Sequence, residues 1–179
     1  MKRIASVLLI AVLALTLVLG SAVTVSAANK MESESFVTGG GSLKDGNKVA
    51  WTFAGNVGLA EDDSVVGQFQ INDHMSKETW HCHGDFTLLD FYGEEITGPT
   101  GPSALHNTAI FIGEFTSNRG ETKILQVTIE DVNEPGRGYD TIQVVDLVAS
   151  DILFSGYPID TGNFQIHGGE ASEDPNQNY

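Results

Sequence analysis

Short segments in which apolar and polar residues alternate recur along the chain between Asn47 and His167. Alternation sends every second side chain to the same side of a β-strand, so each segment predicts a strand with one buried face. Turn-forming Gly, Asn, Asp and Pro residues separate the segments, and none of them shows the apolar period of an amphipathic helix. The predicted strands are residues 47–57, 65–72, 79–92, 108–116, 122–131, 140–148, 151–157 and 162–167.

This pattern predicts an all-β fold, an antiparallel meander of about eight strands that forms a closed or partly closed barrel. The alternative is a two-sheet β-sandwich. The barrel is favoured because successive hairpins need no long crossover and because closure removes exposed sheet edges. Within the long segment from Thr79 to Tyr92, the residues that face the core are expected to continue at every second position as far as Leu88. Leu89 and Phe91 then lie on the opposite face, which indicates a β-bulge or a covered outer surface.

Both ends of the chain differ from the alternating region. Residues 1–27 combine Lys2 and Arg3 with an apolar run and a small-residue end, which is the layout of a secretory signal peptide. Cleavage there predicts a secreted protein that lies outside the cell or at the cell surface, and a retained membrane anchor is the competing interpretation. The rest divides into a flexible N-terminal arm at 28–38, a barrel domain at 39–168 and an acidic disordered tail at 169–179.

The composition is acidic, with a formal net charge of -15, and signal cleavage would also remove Lys2 and Arg3. Such a charge repels nucleic acid and anionic membranes, so neither is an expected partner of the mature protein. Cys82 is the single cysteine, which excludes an internal disulfide. It shares a predicted strand face with Trp80 and Phe86, so it is expected to be a small core residue. The sequence contains no glycine pattern of a dinucleotide site, a P-loop or a nucleophile elbow.

Three of the five histidines lie within residues 67–86. His81, His83 and Asp85 fall on the polar face of the predicted strand, where positions on the same face are roughly 6 to 7 Å apart. With His74 across the hairpin as a further nitrogen ligand, they would form an open site for Zn or Cu. The competing interpretation is a solvated outer face, because strand alternation itself requires polar residues there.

A second cluster surrounds a turn that contains Pro and Gly. Asp131, Asn133, Glu134 and Asp140 offer the hard oxygen ligands that calcium prefers, although their spacing is not that of an EF-hand. The competing interpretation is a β-turn in which Asp and Asn side chains bond their own backbone. Zn, Cu and Ca are therefore the candidate cofactors, and no catalytic residue is predicted.

Four motifs together resemble a known protein family. They are GGGSL at 39–43, GQFQINDH at 67–74, VTIEDVNEPGRGYDTIQV at 127–144 and GNFQIHGG at 162–169. They resemble the secreted post-COAP type β domain of bacterial and archaeal extracellular proteins, and the resemblance covers nearly the whole mature chain. Val132, Tyr139 and the extra His83 depart from the family pattern. The resemblance implies a small extracellular β domain of unassigned biochemical role, and it supplies no catalytic residue.

These observations leave several hypotheses about function. The first is a secreted or cell-surface domain without catalysis that acts in surface structure, adhesion or ligand binding. The second is a metal-binding protein or metalloenzyme centred on His81 and His83. The last is a filament subunit that assembles through an edge strand or through its N-terminal arm before Gly39. The expected partners are accordingly a small ligand, a cell-surface partner or further copies of the chain.

Overall fold

The computed structural model describes residues 35–94, 106–132 and 139–168, apart from the side chains of residues 155–157. These ranges contain ten β-strands. The strands are β1 (Phe36–Asp45), β2 (Lys48–Leu59), β3 (Val65–Asp73), β4 (Glu78–His83), β5 (Phe86–Tyr92), β6 (Thr108–Ser117), β7 (Thr122–Glu130), β8 (Thr141–Asp146), β9 (Asp151–Pro158) and β10 (Thr161–His167). The described part of the chain contains no helix long and apolar enough to cross a membrane.

The strands form one antiparallel sheet that curls into a half-barrel. The order across the sheet is β10-β1-β2-β3-β4-β6-β7-β8-β9, and β5 pairs with β6 beside this path. Most neighbours follow one another in the sequence, and the two exceptions are β10, which returns to pair with β1, and β6, which pairs with β4 as well as with β5. The prediction of an all-β fold with a partly closed barrel is therefore confirmed, and the single sheet replaces the two-sheet alternative.

The glycine triplet lies inside a strand that the alternation pattern did not reveal. β1 begins at Phe36, ahead of the predicted start of the barrel domain at Gly39. A Cβ atom on Gly40 would lie 2.5 Å from the carbonyl oxygen of Phe53, so a side chain there would force β1 away from β2. Glycine permits this close approach of two backbones. Because glycines carry no side chain, β1 shows little alternation of apolar and polar residues in the sequence.

The long predicted segment is divided into β4 and β5. Gly84, with a φ of 75°, adopts the left-handed conformation immediately after the end of β4. The register between β5 and β6 then shifts between Phe86 and Leu88, which confirms the predicted bulge. The prediction that Leu88 faces inward is wrong: it is 39% exposed, whereas Leu89 and Phe91 are buried. The bulge explains the error, because one extra residue moves Leu88 to the outer face.

The inner face of the sheet carries the hydrophobic core. Phe111 lies within it, and its ring centroid is 5.1 Å from that of Phe69 and 5.7 Å from that of Phe86. Trp80 and Cys82 are also buried, at 4% and 1% exposure, which confirms the predicted core face of β4. Burial raises the pKa of the Cys82 thiol to about 11, so the thiol stays protonated as a small core residue.

Two buried carboxylates accept hydrogen bonds from the edge of β10 that does not pair with β1. The backbone N–H groups of Phe164 and Ile166 donate to Oδ2 of Asp140 at 2.8 Å and to Oδ2 of Asp131 at 3.1 Å. Oδ1 of Asp140 also accepts a hydrogen bond from the N–H of Val132 at 3.2 Å. These carboxylates satisfy buried donors that would otherwise need a neighbouring strand. We call this junction, between β10 and the ends of β7 and β8, the seam.

Candidate functional site

Uncharged polar residues cover the outer face of the sheet across β10, β1, β2, β3 and β4. Cross-strand pairing aligns them in rows that run perpendicular to the strands. The first row is Gln165, Thr38, Asn56, Gln68 and His83, the middle row is Asn163, Gly40, Ala54, Gln70 and His81, and the third row is Thr161, Ser42, Thr52, Asn72 and Thr79. We call this surface the polar face. It contains no carboxylate, lysine or arginine, although the chain has a formal net charge of -15.

A groove of about 590 Å³ lies on the polar face. Residues of the first row form one wall of the groove, and Thr52 and Asn72 of the third row form the other. Ala54 of the middle row lies between the walls, where its methyl group is shorter than the side chains on either side. The groove is therefore a depression between two rows of amide and hydroxyl groups.

Hydrogen bonds between side chains hold the third-row wall in place. The Asn72 amide donates from Nδ2 to Oγ1 of Thr52 at 3.1 Å, and its Oδ1 accepts from Gln70 at 3.0 Å and from Thr79 at 2.9 Å. The Thr52 hydroxyl also bonds Nε2 of His74 at 3.0 Å. Because these partners fix one another, this wall is preorganised before any ligand arrives.

The first-row wall differs because three of its side chains, those of Thr38, Asn56 and Gln68, are available. Among the described residues, none forms a hydrogen bond with the side chains of Thr38, Asn56 or Gln68. Gln68 is exposed and Asn56 is half-buried. Each side-chain amide has N–H donors and a carbonyl acceptor, so this wall can donate hydrogen bonds to a ligand and accept hydrogen bonds from it.

The predicted transition-metal ligands are only partly brought together. His81 and His83 lie side by side on the outer face of β4, with ring centroids 5.7 Å apart and planes tilted by 59°. His74 lies beyond the end of β3 and bonds Thr52, while Asp85 is exposed between β4 and β5. In the described ranges, no three His, Cys, Asp or Glu side chains are grouped so that they could hold a metal ion. The imidazole pair is assembled, and the wider ligand set stays a prediction.

The predicted calcium ligands are divided in the same way. Asp131 and Asp140 are 4% and 0% exposed, and their carboxylates accept the seam hydrogen bonds from backbone N–H groups. Asn133 and Glu134 lie outside the described residues. These oxygens accept hydrogen bonds from backbone N–H groups of β10 and of Val132, so the described members of this set stabilise the seam.

The groove residues are the candidates that sequence reasoning missed. Alternation in the second predicted strand places Gln68 and Gln70 together on the face opposite the core. The groove, however, also needs Thr38 and Asn56 from other strands, and only the register between strands brings these residues together. The sequence does carry one signal of the groove. The outer positions that form the groove hold no carboxylate, lysine or arginine, although the chain as a whole is acidic.

No family model, no curated protein and no solved structure matches the chain.

Proposed function

We propose that the protein is a secreted or cell-surface β domain that binds a ligand in the groove and does not act by catalysis. The observation that carries the proposal is a groove whose lining contains amides and hydroxyls but no carboxylate, lysine or arginine, on a chain of formal net charge -15. A solvated sheet face needs polar residues, but it does not need to exclude charge, and carboxylates serve solubility better than amides do. A polar face without charge is therefore better explained by contact with a ligand. The signal-peptide layout of residues 1–27 supports the extracellular location.

The side chains of the groove favour binding over chemistry. His83 is the one titratable side chain among the described residues that line the groove. Acid–base and nucleophilic catalysis need a reactive group with a partner that orients or activates it, and a carboxylate is a frequent partner. The neighbouring ring of His83 is another imidazole, that of His81. Amides and hydroxyls in this number instead supply directional hydrogen bonds to a bound molecule.

A binding screen with matched variants tests this proposal. The mature protein is screened against soluble polysaccharides, peptides and extracellular matrix proteins. Asn56→Ala/Gln68→Ala removes the available amides of the groove, whereas Gln126→Ala/Gln143→Ala removes the same kind of side chain from the outer face of β7 and β8. Each lost neutral hydrogen bond is worth about 0.5 to 1.5 kcal/mol, so we expect the groove variant to weaken ligand binding by about tenfold or more. The control variant should bind like the parent protein.

The screen contradicts the proposal if every ligand that binds the parent protein also binds the groove variant equally well. Both variants change exposed or half-buried positions, so equal unfolding midpoints should confirm that the fold is intact.

A second candidate function rests on the imidazole pair of His81 and His83. With ring centroids 5.7 Å apart, the two side chains can turn towards a shared Zn or Cu ion, and water or substrate would fill the remaining positions. Elemental analysis after loading with Zn or Cu tests this function. We expect a stoichiometric ion that His81→Ala/His83→Ala loses and that the control His74→Ala/His106→Ala retains. Equal metal content in the two variants would eliminate the site.

A further inference from the structure

The chemistry of the groove restricts the kind of molecule that it can bind. Among the described residues that line it there is no lysine or arginine to bind an anion, and the chain as a whole repels negative charge. The lining contains no carboxylate that would attract a cation. Its walls end in amides and hydroxyls, which lose hydrogen bonds to water if an apolar molecule covers them. The remaining class is a neutral molecule that is itself rich in hydrogen-bonding groups.

The position of the groove argues against an extended peptide. A peptide that adds to a sheet as a strand needs an edge with unpaired backbone groups. β1, β2 and β3 are each paired on both edges, β1 with β10 and β2, β2 with β1 and β3, and β3 with β2 and β4. Backbone groups beneath the groove are therefore already bonded within the sheet. The ligand must be held by side chains that stand perpendicular to the sheet.

We infer that the groove binds a neutral polysaccharide, an inference that rests on the proposed function. Each sugar hydroxyl both donates and accepts a hydrogen bond, and the amides of Asn56 and Gln68 offer both capacities. The walls cross the strands, so their polar groups repeat at the strand spacing of about 4.8 Å. A polymer whose hydroxyls recur along its length can contact such a repeating wall at several points.

The two walls have separate roles in this binding. The hydrogen-bonded set around Asn72 keeps the shape of the groove, because its side chains are already ordered and lose little entropy when the ligand binds. The first-row wall makes the new hydrogen bonds, through Asn56, Gln68 and the hydroxyl of Thr38. Ala54 between the walls leaves the space that a sugar ring occupies.

Affinity electrophoresis measures the binding directly. The mature protein is run in native gels that contain dextran, mannan, soluble starch or hydroxyethylcellulose, and in parallel gels that contain dextran sulfate or polygalacturonate. We expect at least one neutral polymer to retard the protein and the charged polymers to leave its mobility unchanged. Retardation by the neutral polymer should not depend on salt, because no ion pair contributes to it.

Three variants connect the retardation to the groove. Asn56→Ala/Gln68→Ala should raise the dissociation constant for the neutral polymer about tenfold, as expected for the loss of two neutral hydrogen bonds. Ala54→Ile fills the space between the walls without removing an amide, and it should abolish retardation. Gln126→Ala/Gln143→Ala is the control and should migrate like the parent protein. In a titration followed by NMR, the side-chain amide signals of Asn56 and Gln68 should shift and those of Gln126 and Gln143 should not.

The outcomes separate this inference from the proposed function. If none of the neutral polymers retards the protein, or if they retard the groove variants as strongly as the parent, the inference is overturned. If a peptide or a charged polymer binds in a manner that depends on Asn56 and Gln68, the ligand class is wrong and the binding function of the groove stands. If no ligand of any class responds to the groove variants, both proposals fail.

Discussion

The two halves of the sheet share one core and differ on their outer faces. In the first half, formed by β10 and β1 to β4, the outer side carries the polar face with its groove, and Phe36 and Val66 lie in the row beyond it. In the second half, formed by β5 to β9, cross-strand pairing aligns Leu88, Ile112, Gln126, Val145 and Ile152 in one outer row. Leu88 and Ile152 are 39% and 55% exposed. The inner positions alternate in the same way in both halves, so the core does not dictate the outer residues.

The requirements of folding do not account for the chemical difference between the two outer faces. The outer face of the second half mixes apolar residues with Glu114 and Glu130, and scattered apolar side chains are normal on a protein surface. The polar face of the first half contains neither carboxylates nor large aliphatic side chains in its three rows. A sheet can be stable with either kind of surface. The uniform chemistry of the polar face is therefore not a requirement of the fold, and the proposed binding function rests on it.

Adjacent residues on β6 offer the strongest test of the claim that folding constrains the inner face more than the outer face. Phe111 is fully buried between Phe69 and Phe86, whereas Ile112 is half-buried on the outer face. We expect Phe111→Ala to lower the free energy of unfolding by about 3 to 5 kcal/mol through lost burial and a cavity. Ile112→Ala should cost about 1 kcal/mol or less. Urea denaturation of both variants measures the difference.

Similar costs for the two variants would contradict the comparison. They would mean that the outer face of the second half is itself tightly packed, and that its residues are as constrained by folding as those of the core.

The inner faces could be predicted from the sequence because they depend on period alone. A strand with a buried side must place apolar residues at every second position, and Trp80 and Phe86 therefore lie where the alternation predicted. The prediction for Leu88 failed because a bulge changes the parity of the positions that follow it. No property of Leu88 itself reveals that extra residue.

The groove and the seam could not be predicted in the same way. The groove depends on the register between β1, β2 and β3, and one sequence does not specify which residue of a strand lies opposite which residue of its neighbour. The seam could not be predicted for a different reason. A carboxylate near a turn has the same sequence signature whether it binds an ion or a backbone N–H, so Asp131 and Asp140 were predicted as calcium ligands.

A variant at the seam tests whether the two halves unfold together. The two carboxylate oxygens of Asp140 accept hydrogen bonds from the N–H groups of Val132 and Phe164, one each. Asp140→Asn replaces one of these oxygens with an NH₂ group, which places a donor opposite an N–H donor. We expect a loss of about 1 to 3 kcal/mol in the free energy of unfolding, together with faster hydrogen exchange at the Phe164 amide. The control is Asp160→Asn, because Asp160 accepts an exposed N–H from Lys44 and should matter less.

An unchanged exchange rate at Phe164 in Asp140→Asn would show that the seam does not hold β10. The two halves would then be joined by the pairing of β4 with β6 and by the core, without the seam.

The smallest expected effect concerns a polar contact that joins the halves on the inner side of the sheet. Lys123 of β7 lies with its Nζ 5.1 Å from the centroid of the Trp80 ring of β4 and 3.0 Å from Oδ2 of Asp146 at the end of β8. Oδ1 of Asp146 accepts the N–H groups of Val148 and Ala149 at 3.1 and 3.0 Å. The hydrogen bond from Ala149, followed by the interactions with Lys123, lowers the pKa of the Asp146 carboxyl below its usual value.

A lowered pKa in the folded state fixes the sign of the pH dependence. The ionised Asp146 contributes stability fully above the unfolded-state pKa of about 3.9, and the contribution is lost as the pH falls through the lower folded-state value. Asp146→Asn keeps an oxygen for the backbone donors and removes the charge next to Lys123, so near pH 7 it should cost less than about 1 kcal/mol. In urea denaturation series, the difference in unfolding free energy between parent and variant should close as the pH falls through the lowered folded-state pKa of Asp146. A difference of constant size across that range would show that the carboxylate charge contributes nothing to stability.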